Sequence, residues 1–277
     1  MKFGCHVSIK NGYLGAAEHA CKINATAFQY FPKNPRSLSV KGFNEIDTKL
    51  CKEYCQKNKI VSVSHSPYPT NLTADKGKVD LVVASLLNDL AISDSCGSVG
   101  VIVHFGKSID KNNPLISYQL MIKTLNNVLK EWKGKCKILL ENSAGKTGTM
   151  GTSIEELVQI RKLSDFPDKI GFCFDTCHAF SSGLWNGENW EEVLDGGMEL
   201  GYFNHLEVIH LNNSRYPTGS GKDRHANIFN HGYITNRQWE DIMGTKQIRH
   251  IPFILETPDD YGVTHREEIA LLNKKWN

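Results

Sequence analysis

Short runs of β-branched and aromatic residues alternate along this chain with longer segments whose apolar positions recur at helical spacing. The runs are Lys2–Cys5, Ala27–Phe31, Ile60–His65, Gly100–Phe105, Lys137–Glu141, Gly171–Asp175, Glu207–Leu211 and Pro252–Glu256, eight candidate strands. Each gap between them has room for a loop, a helix and a return loop, which parallel neighbours require. Asp80–Asp89 suits a helix, and Tyr118–Trp132 places Met121, Leu125, Val128, Leu129 and Trp132 on one stripe. Thr152, with Glu155 three residues on, reads as a capping box that opens the helix after the fifth strand. Eight strand and helix units predict a (β/α)8 TIM barrel, with its active site at the C-terminal ends of the strands and an open α/β sheet as runner-up. No linker, low-complexity tract or composition shift divides the chain. Residues 1–277 therefore read as a single domain, with a long loop around Asn212–Tyr233 after the seventh strand.

Composition narrows the class. A chain of 277 residues, 40% hydrophobic and 22% charged, has the balance of a folded globular protein and excludes disorder. A net charge of +2 excludes a globally basic histone-like binder but leaves room for a local basic face. The eight cysteines form no Cys-x-x-Cys pair, and Cys51/Cys55 and Cys173/Cys177 lack structural-zinc spacing, so they read as reduced, packed thiols. Lys10 interrupts the N-terminus before a signal-peptide core could form, and no apolar run reaches transmembrane length. The expected setting is intracellular, with no membrane partner.

The strand ends carry the chemistry. Strand three ends at His65, four passes through His104, five ends at Glu141, six at Asp175, seven passes through His210 and eight ends at Glu256. A lone strand-end His or Glu is usually structural. Six at one barrel mouth would repel and desolvate one another unless cations compensate them. His178 follows Asp175, and Asp223 and His225 in the long loop point the same way in extended chain. Five imidazoles and four carboxylates without required thiolates suit zinc, with manganese second, possible at one site. Nine ligands exceed what two four-coordinate ions need, so three ions fit if one carboxylate bridges. The small positive charge left on such a site matches a phosphodiester.

The strings His65-Ser-Pro-Tyr68-Pro-Thr-Asn71-Leu72, Glu141-Asn142-Ser-Ala-Gly145, Phe174-Asp175-Thr176-Cys177-His178-Ala179, His210-Leu211-Asn212-Asn213, Asp223-Arg224-His225 and Leu255-Glu256-Thr257-Pro258 resemble the signature segments of the endonuclease IV family. The likeness begins at Gly4-Cys5-His6-Val7-Ser8 and runs in order over nearly the whole chain. It implies a trinuclear-zinc apurinic/apyrimidinic endonuclease of DNA base-excision repair, acting as a monomer on double-stranded DNA that contains abasic sites. By the resemblance, His65, His104 and Glu141 hold the first zinc, and Glu141 bridges to the second. Asp175, His210 and Glu256 complete the second, and His178, Asp223 and His225 hold the third. A hydroxide between the first two ions then attacks the phosphorus 5′ to the abasic sugar, leaving a 3′-hydroxyl and a 5′-deoxyribose phosphate.

Basic residues beyond the strand ends, Lys33, Arg36, Lys107, Lys146, Arg215, Lys222 and Arg224, are expected to gather phosphate contacts on the catalytic face. Arg36 and Tyr68 match family positions that wedge into DNA at the lesion. Pro69 stands where the family commonly has a bulky aliphatic residue, which alters the wedge. His6 is a candidate to support the ligands from behind, and Cys177 is read as a packed thiol rather than a ligand. Two other readings compete: a metal-dependent sugar isomerase or epimerase on the same barrel, and a non-catalytic damage-binding protein.

Overall fold

A computed structural model of the chain describes residues 1–75, 77–110, 112–145, 150–229, 231–259 and 262–277. Eight parallel strands close a barrel: β1 Lys2–His6, β2 Ala27–Tyr30, β3 Val61–His65, β4 Gly100–His104, β5 Lys137–Glu141, β6 Ile170–Asp175, β7 Leu206–His210 and, last in the chain, β10 Pro252–Leu255. Around the barrel they run in chain order, with β10 between β7 and β1. All eight lie within a residue or so of the expected runs. Between β7 and β10 the long loop forms a two-stranded antiparallel ribbon of β8 Asn213–Ser214 and β9 His225–Ala226. The helices are α1 Gly12–Lys22, α2 Glu45–Asn58, α3 Val79–Ser95, α4 Pro114–Glu131, α5 Ile154–Leu163, α6 Thr176–Ser182, α7 Trp190–Glu199, α8 Asn236–Gly244 and α9 His265–Trp276.

The helix ends follow from side-chain chemistry. On α5 the cap is Ser153 paired with Glu156, not Thr152 with Glu155, because the Glu156 carboxylate accepts from the backbone N–H of both Thr152 and Ser153. Thr235 with Gln238 and Thr264 with Glu267 make the same device at α8 and α9. The stripe that α2 buries is Thr48, Cys51 and Cys55, so this pair of cysteines is helical packing and no zinc motif. All eight cysteines are free, seven of them buried.

Inside the barrel, alternate residues of each strand face the axis. Ala27, Val63, Ile102, Leu139, Cys173, Val208 and Ile254 form this inner core. A Cβ at Gly100 would lie 2.5 Å from Leu139 Cγ, and one at Gly171 2.9 Å from its Cδ2, so the two glycines make room for it. Burying that side chain contributes about 2 kcal/mol. The same alternation carries the next inward residue of each strand to the C-terminal mouth, where the expected ligands lie. On β7 it needs help. Phe172 of β6 pairs with Leu206, but Cys173 pairs with Val208, a one-residue bulge at Glu207. Because a one-residue slip exchanges the two faces of a strand, this bulge turns Val208 and His210 inward beside Cys173 and Asp175.

Candidate metal centre

The nine expected ligands come together at the mouth. Glu141 is 1% exposed and central: its Oε2 lies 3.4 Å from His65 Nε2 and 3.4 Å from His104 Nε2, and its Oε1 lies 3.0 Å from His210 Nδ1. The nitrogen of His210 that faces Glu141 is also 3.6 Å from Asp175 Oδ2 and 3.2 Å from Glu256 Oε2. A third cluster joins Asp223 Oδ1 to His178 Nε2 at 3.3 Å and to His225 Nε2 at 3.4 Å. His225 Nε2 lies 3.7 Å from Asp175 Oδ2, so Asp175 stands between the second and third clusters as Glu141 stands between the first and second.

Local structure explains the placement. Asp175 ends β6 and caps α6, its Oδ1 accepting from His178 N at 2.7 Å, which sets His178 on the first helical turn facing the mouth. Asp223 and His225 enter and begin β9, which brings the alternate side chains together. Each buried imidazole has one nitrogen committed elsewhere. His65 Nδ1 faces Ser66 O at 2.8 Å, His178 Nδ1 faces Asn142 O at 2.9 Å, and His225 Nδ1 faces Glu256 O at 3.3 Å. With Nδ1 committed to those carbonyls, Nε2 is the nitrogen aimed inward and left for a bond to a metal.

The electrostatics ask for cations. Burial alone would push the Glu141 and Glu256 carboxyls up. His210 and His104 hold Glu141 well below its ordinary range, and His210 and His225 hold Glu256 down to about 2. Burial would likewise lower the His178 imidazole, yet Asp175 and Asp223 hold it well above its ordinary range. Three buried atoms in the clusters, Glu141 Oε2, His178 Nε2 and His225 Nε2, have no hydrogen-bond partner among the described residues. Such atoms are costly unless something else meets them. A mixed nitrogen and oxygen set of this kind fits zinc or manganese. Cys173 and Cys177 lie near enough to join, and burial pushes both thiols up to about 12. Cys177 Sγ instead contacts Arg224 O at 3.8 Å, as a packed thiol.

Asn212, Asn142, His6 and Gln29 hold the ligands from behind. Asn212 Nδ2 donates to Asp175 Oδ2 at 2.8 Å, and its Oδ1 accepts from Glu256 N at 2.8 Å. Asn142 Oδ1 accepts from Asp175 N at 2.7 Å. His6 lies 3.2 Å from Gln29 Nε2, one bond away from the ligands. Nothing in the sequence singles out Gln29, because its partners lie on β7 and just after β10.

The rim is partly as expected. Tyr68 is 62% exposed above the ligands, and its N–H donates to Pro35 O at 2.8 Å, tying it to the segment that carries the exposed Arg36. A groove of about 500 Å³ beside His104, His178 and Asp223 is walled by Lys107, Lys222 and Arg224. Lys146 lies outside the described residues.

Lys33 departs from expectation. It is buried, its Nζ 3.1 Å from Asp89 Oδ1 and donating to Ser85 O and Oγ at 2.8 and 2.9 Å, so it ties the loop after β2 to α3 and meets no phosphate. Its long apolar stem suits burial, and its tip is fully met. Burial pushes the Asp89 carboxyl up to about 7, although Lys33 opposes this. An unfolded aspartate titrates near 4, so the folded chain binds the extra proton between about pH 4 and 7, and stability falls as pH rises through that window. Asp89→Asn is expected to flatten that fall in urea-unfolding midpoints. Asp89→Ala should cost about 3–5 kcal/mol by leaving the Lys33 charge unpaired. A wild-type pH profile no steeper than that of Asp89→Asn would refute the titration.

A family model described as a xylose isomerase-like TIM barrel matches residues 17–276. The chain is 35% identical over 271 residues to a protein of Symbiobacterium thermophilum named probable endonuclease 4, with 98% of each chain covered. A Methanosphaera stadtmanae protein of the same name is 32% identical over 271 residues, with 97% of each covered. Among solved structures, endonuclease IV from Thermus thermophilus superposes with a TM-score of 0.83 at 28% identity, covering 99% of this chain and 97% of that one. A D-tagatose 3-epimerase-like protein aligns with a TM-score of 0.66 at 19% identity, over 99% of both chains, a likeness of fold alone.

Proposed function

The chain belongs to the endonuclease IV family, and from that premise we propose that it is a zinc-dependent apurinic/apyrimidinic endonuclease of base-excision repair. It would cut the phosphodiester 5′ to an abasic site in double-stranded DNA, leaving a 3′-hydroxyl and a 5′-deoxyribose phosphate. The observation that carries this reading is the chain of three ligand clusters, His65/His104/Glu141, Glu141/Asp175/His210/Glu256 and His178/Asp223/His225, at one barrel mouth. Each cluster would hold one zinc ion, with manganese possible at one of them. Zinc there would supply Lewis-acid charge to the scissile phosphate and make a water acidic enough to ionise near neutral pH.

The chain's own residues do the rest. Glu141 and Asp175 each face two clusters, which fixes the spacing of the three. The hydrogen bonds behind the imidazoles lock their orientation, so little reorganisation accompanies the reaction. Lys107, Lys222 and Arg224 line the path of a strand beside the third cluster and would pair with its phosphates. Tyr68, which shares a cleft with His65, His104 and Glu256, and Arg36 on the segment tied to it would enter the stack at the gap left by a missing base, where doing so costs least.

The test is nicking of a duplex oligonucleotide that carries one abasic analogue. The zinc-loaded chain is expected to cut the damaged strand once, 5′ to the lesion, to leave an intact duplex uncut and a ketohexose unchanged, and to bind more weakly as salt rises. No cutting with zinc fully loaded would refute the nuclease reading.

A further inference from the structure

β2 differs from the other seven strands in what it sends to the mouth. They bring His6, His65, His104, Glu141, Asp175, His210 and, directly after β10, Glu256, whereas β2 brings the uncharged amide of Gln29, itself 0% exposed. We propose that Gln29 is a positioning residue for the second metal cluster, holding His210 and Glu256 at once from β2, on the other side of β1 from β10. This rests on the metal-dependent reading above.

A primary amide offers a donor and an acceptor on one small plane. Gln29 Oε1 lies 2.7 Å from His210 Nε2, and its Nε2 donates to Glu256 Oε1 at 2.6 Å. The amide orientation follows from its neighbours, since a carbonyl oxygen turned toward the Glu256 carboxylate would meet only another acceptor. With the amide so placed, His210 must donate from Nε2. The nitrogen it offers to a metal is then Nδ1, the atom that faces Glu141, Asp175 and Glu256 at 3.0, 3.6 and 3.2 Å. The same amide occupies Glu256 Oε1 and leaves Oε2 as the oxygen turned to His210. Two of the four residues in the cluster thus take their working geometry from one side chain.

His6 completes the arrangement. Its Nδ1 lies 3.2 Å from Gln29 Nε2, and its ring packs against Phe31 with centroids 4.6 Å apart. The amide plane is thereby held on the side away from the ligands. Partners of this kind behind a metal ligand typically change metal affinity by about 10–100-fold when removed.

Gln29→Met keeps the length of the side chain and removes every hydrogen bond. Gln29→Glu keeps an acceptor for His210 but sets a second carboxylate against Glu256, and it decides the matter if the methionine variant does not fold. Zinc titration of the full chain against a chromogenic chelator is the measurement, with nitrogen-15 NMR of the histidine rings alongside. Wild type is expected to bind about three zinc ions. Both variants should hold one of them about 10–100-fold more weakly and the others as before. The His210 Nε2–H signal should shift or vanish, and kcat on abasic duplex should fall while KM stays near its wild-type value. Unchanged retention of all ions in both variants, or an unchanged His210 signal in Gln29→Met, would overturn the proposal. A wild-type chain that binds no zinc would bring down the metal reading and this inference with it.

Discussion

Glu141→Gln is expected to reduce incision at an abasic site by on the order of a thousandfold, the equivalent of several kcal/mol of lost transition-state stabilisation, while damaged DNA still binds. The size of the effect follows from where the carboxylate stands. One oxygen faces the His65 and His104 nitrogens and the other faces His210, so a single side chain serves two clusters. Glutamine has nearly the same shape but half the acceptors and no charge, and either orientation of its amide turns N–H groups toward one of the two clusters. The groups expected to meet DNA, Arg36, Tyr68, Lys222 and Arg224, lie on the rim and do not touch Glu141. Single-turnover nicking paired with gel-shift binding at one salt concentration separates the two properties. Cleavage within about tenfold of wild type would remove Glu141 from the bridging role, since a loss of several kcal/mol would slow the reaction far more than that.

Why the clustered imidazoles and carboxylates could be read from the chain, and the residues behind them could not, is a matter of range. β-Branched runs mark the strands because such side chains suit a pleated, buried surface, and period-two alternation then carries a polar strand-end residue inward. His65, His104, Glu141 and Asp175 follow from that logic alone. His210 follows it only because of the bulge at Glu207, which nothing in Glu207-Val-Ile-His signals. Lys33 shows the opposite failure. A lysine beyond a strand end reads as a solvated cation unless its partner is known, and Asp89 is far away in the chain, on α3. The cap at α5 slipped by one residue because Thr152-Ser153 followed by Glu155-Glu156 offers two registers of the same motif. Gln29 is the plainest case, a glutamine in a strand whose partners lie on β7 and beside β10.

Removing metal should have the second large effect, and on two observables at once. Prolonged chelation of the purified chain is expected to abolish nicking and to lower the unfolding midpoint. Zinc, and not magnesium, should restore both, and elemental analysis before chelation should find about three zinc ions per chain. A site loaded at a thousand times its dissociation constant contributes about 4 kcal/mol, and one such site alone is worth roughly 7 °C in a chain of this size. The barrel should nonetheless stay folded without metal. Its inner layer from Ala27 to Ile254 and its outer core between strands and helices are apolar and do not include the ligands. Loss of the ions exposes a different problem, confined to the mouth. Glu141, Asp175, Glu256 and Asp223 stand within reach of imidazoles that must then take up protons to balance them. Those protons are more available at low pH, so the midpoint lost on chelation should be smaller near about pH 5 than near pH 8, where fewer of the imidazoles carry a proton to balance the carboxylates. A midpoint and a nicking rate that both survive chelation would mean that imidazoles and carboxylates alone satisfy one another in the working enzyme. Glu141 Oε2, His178 Nε2 and His225 Nε2, buried without a hydrogen-bond partner among the described residues, argue against that outcome.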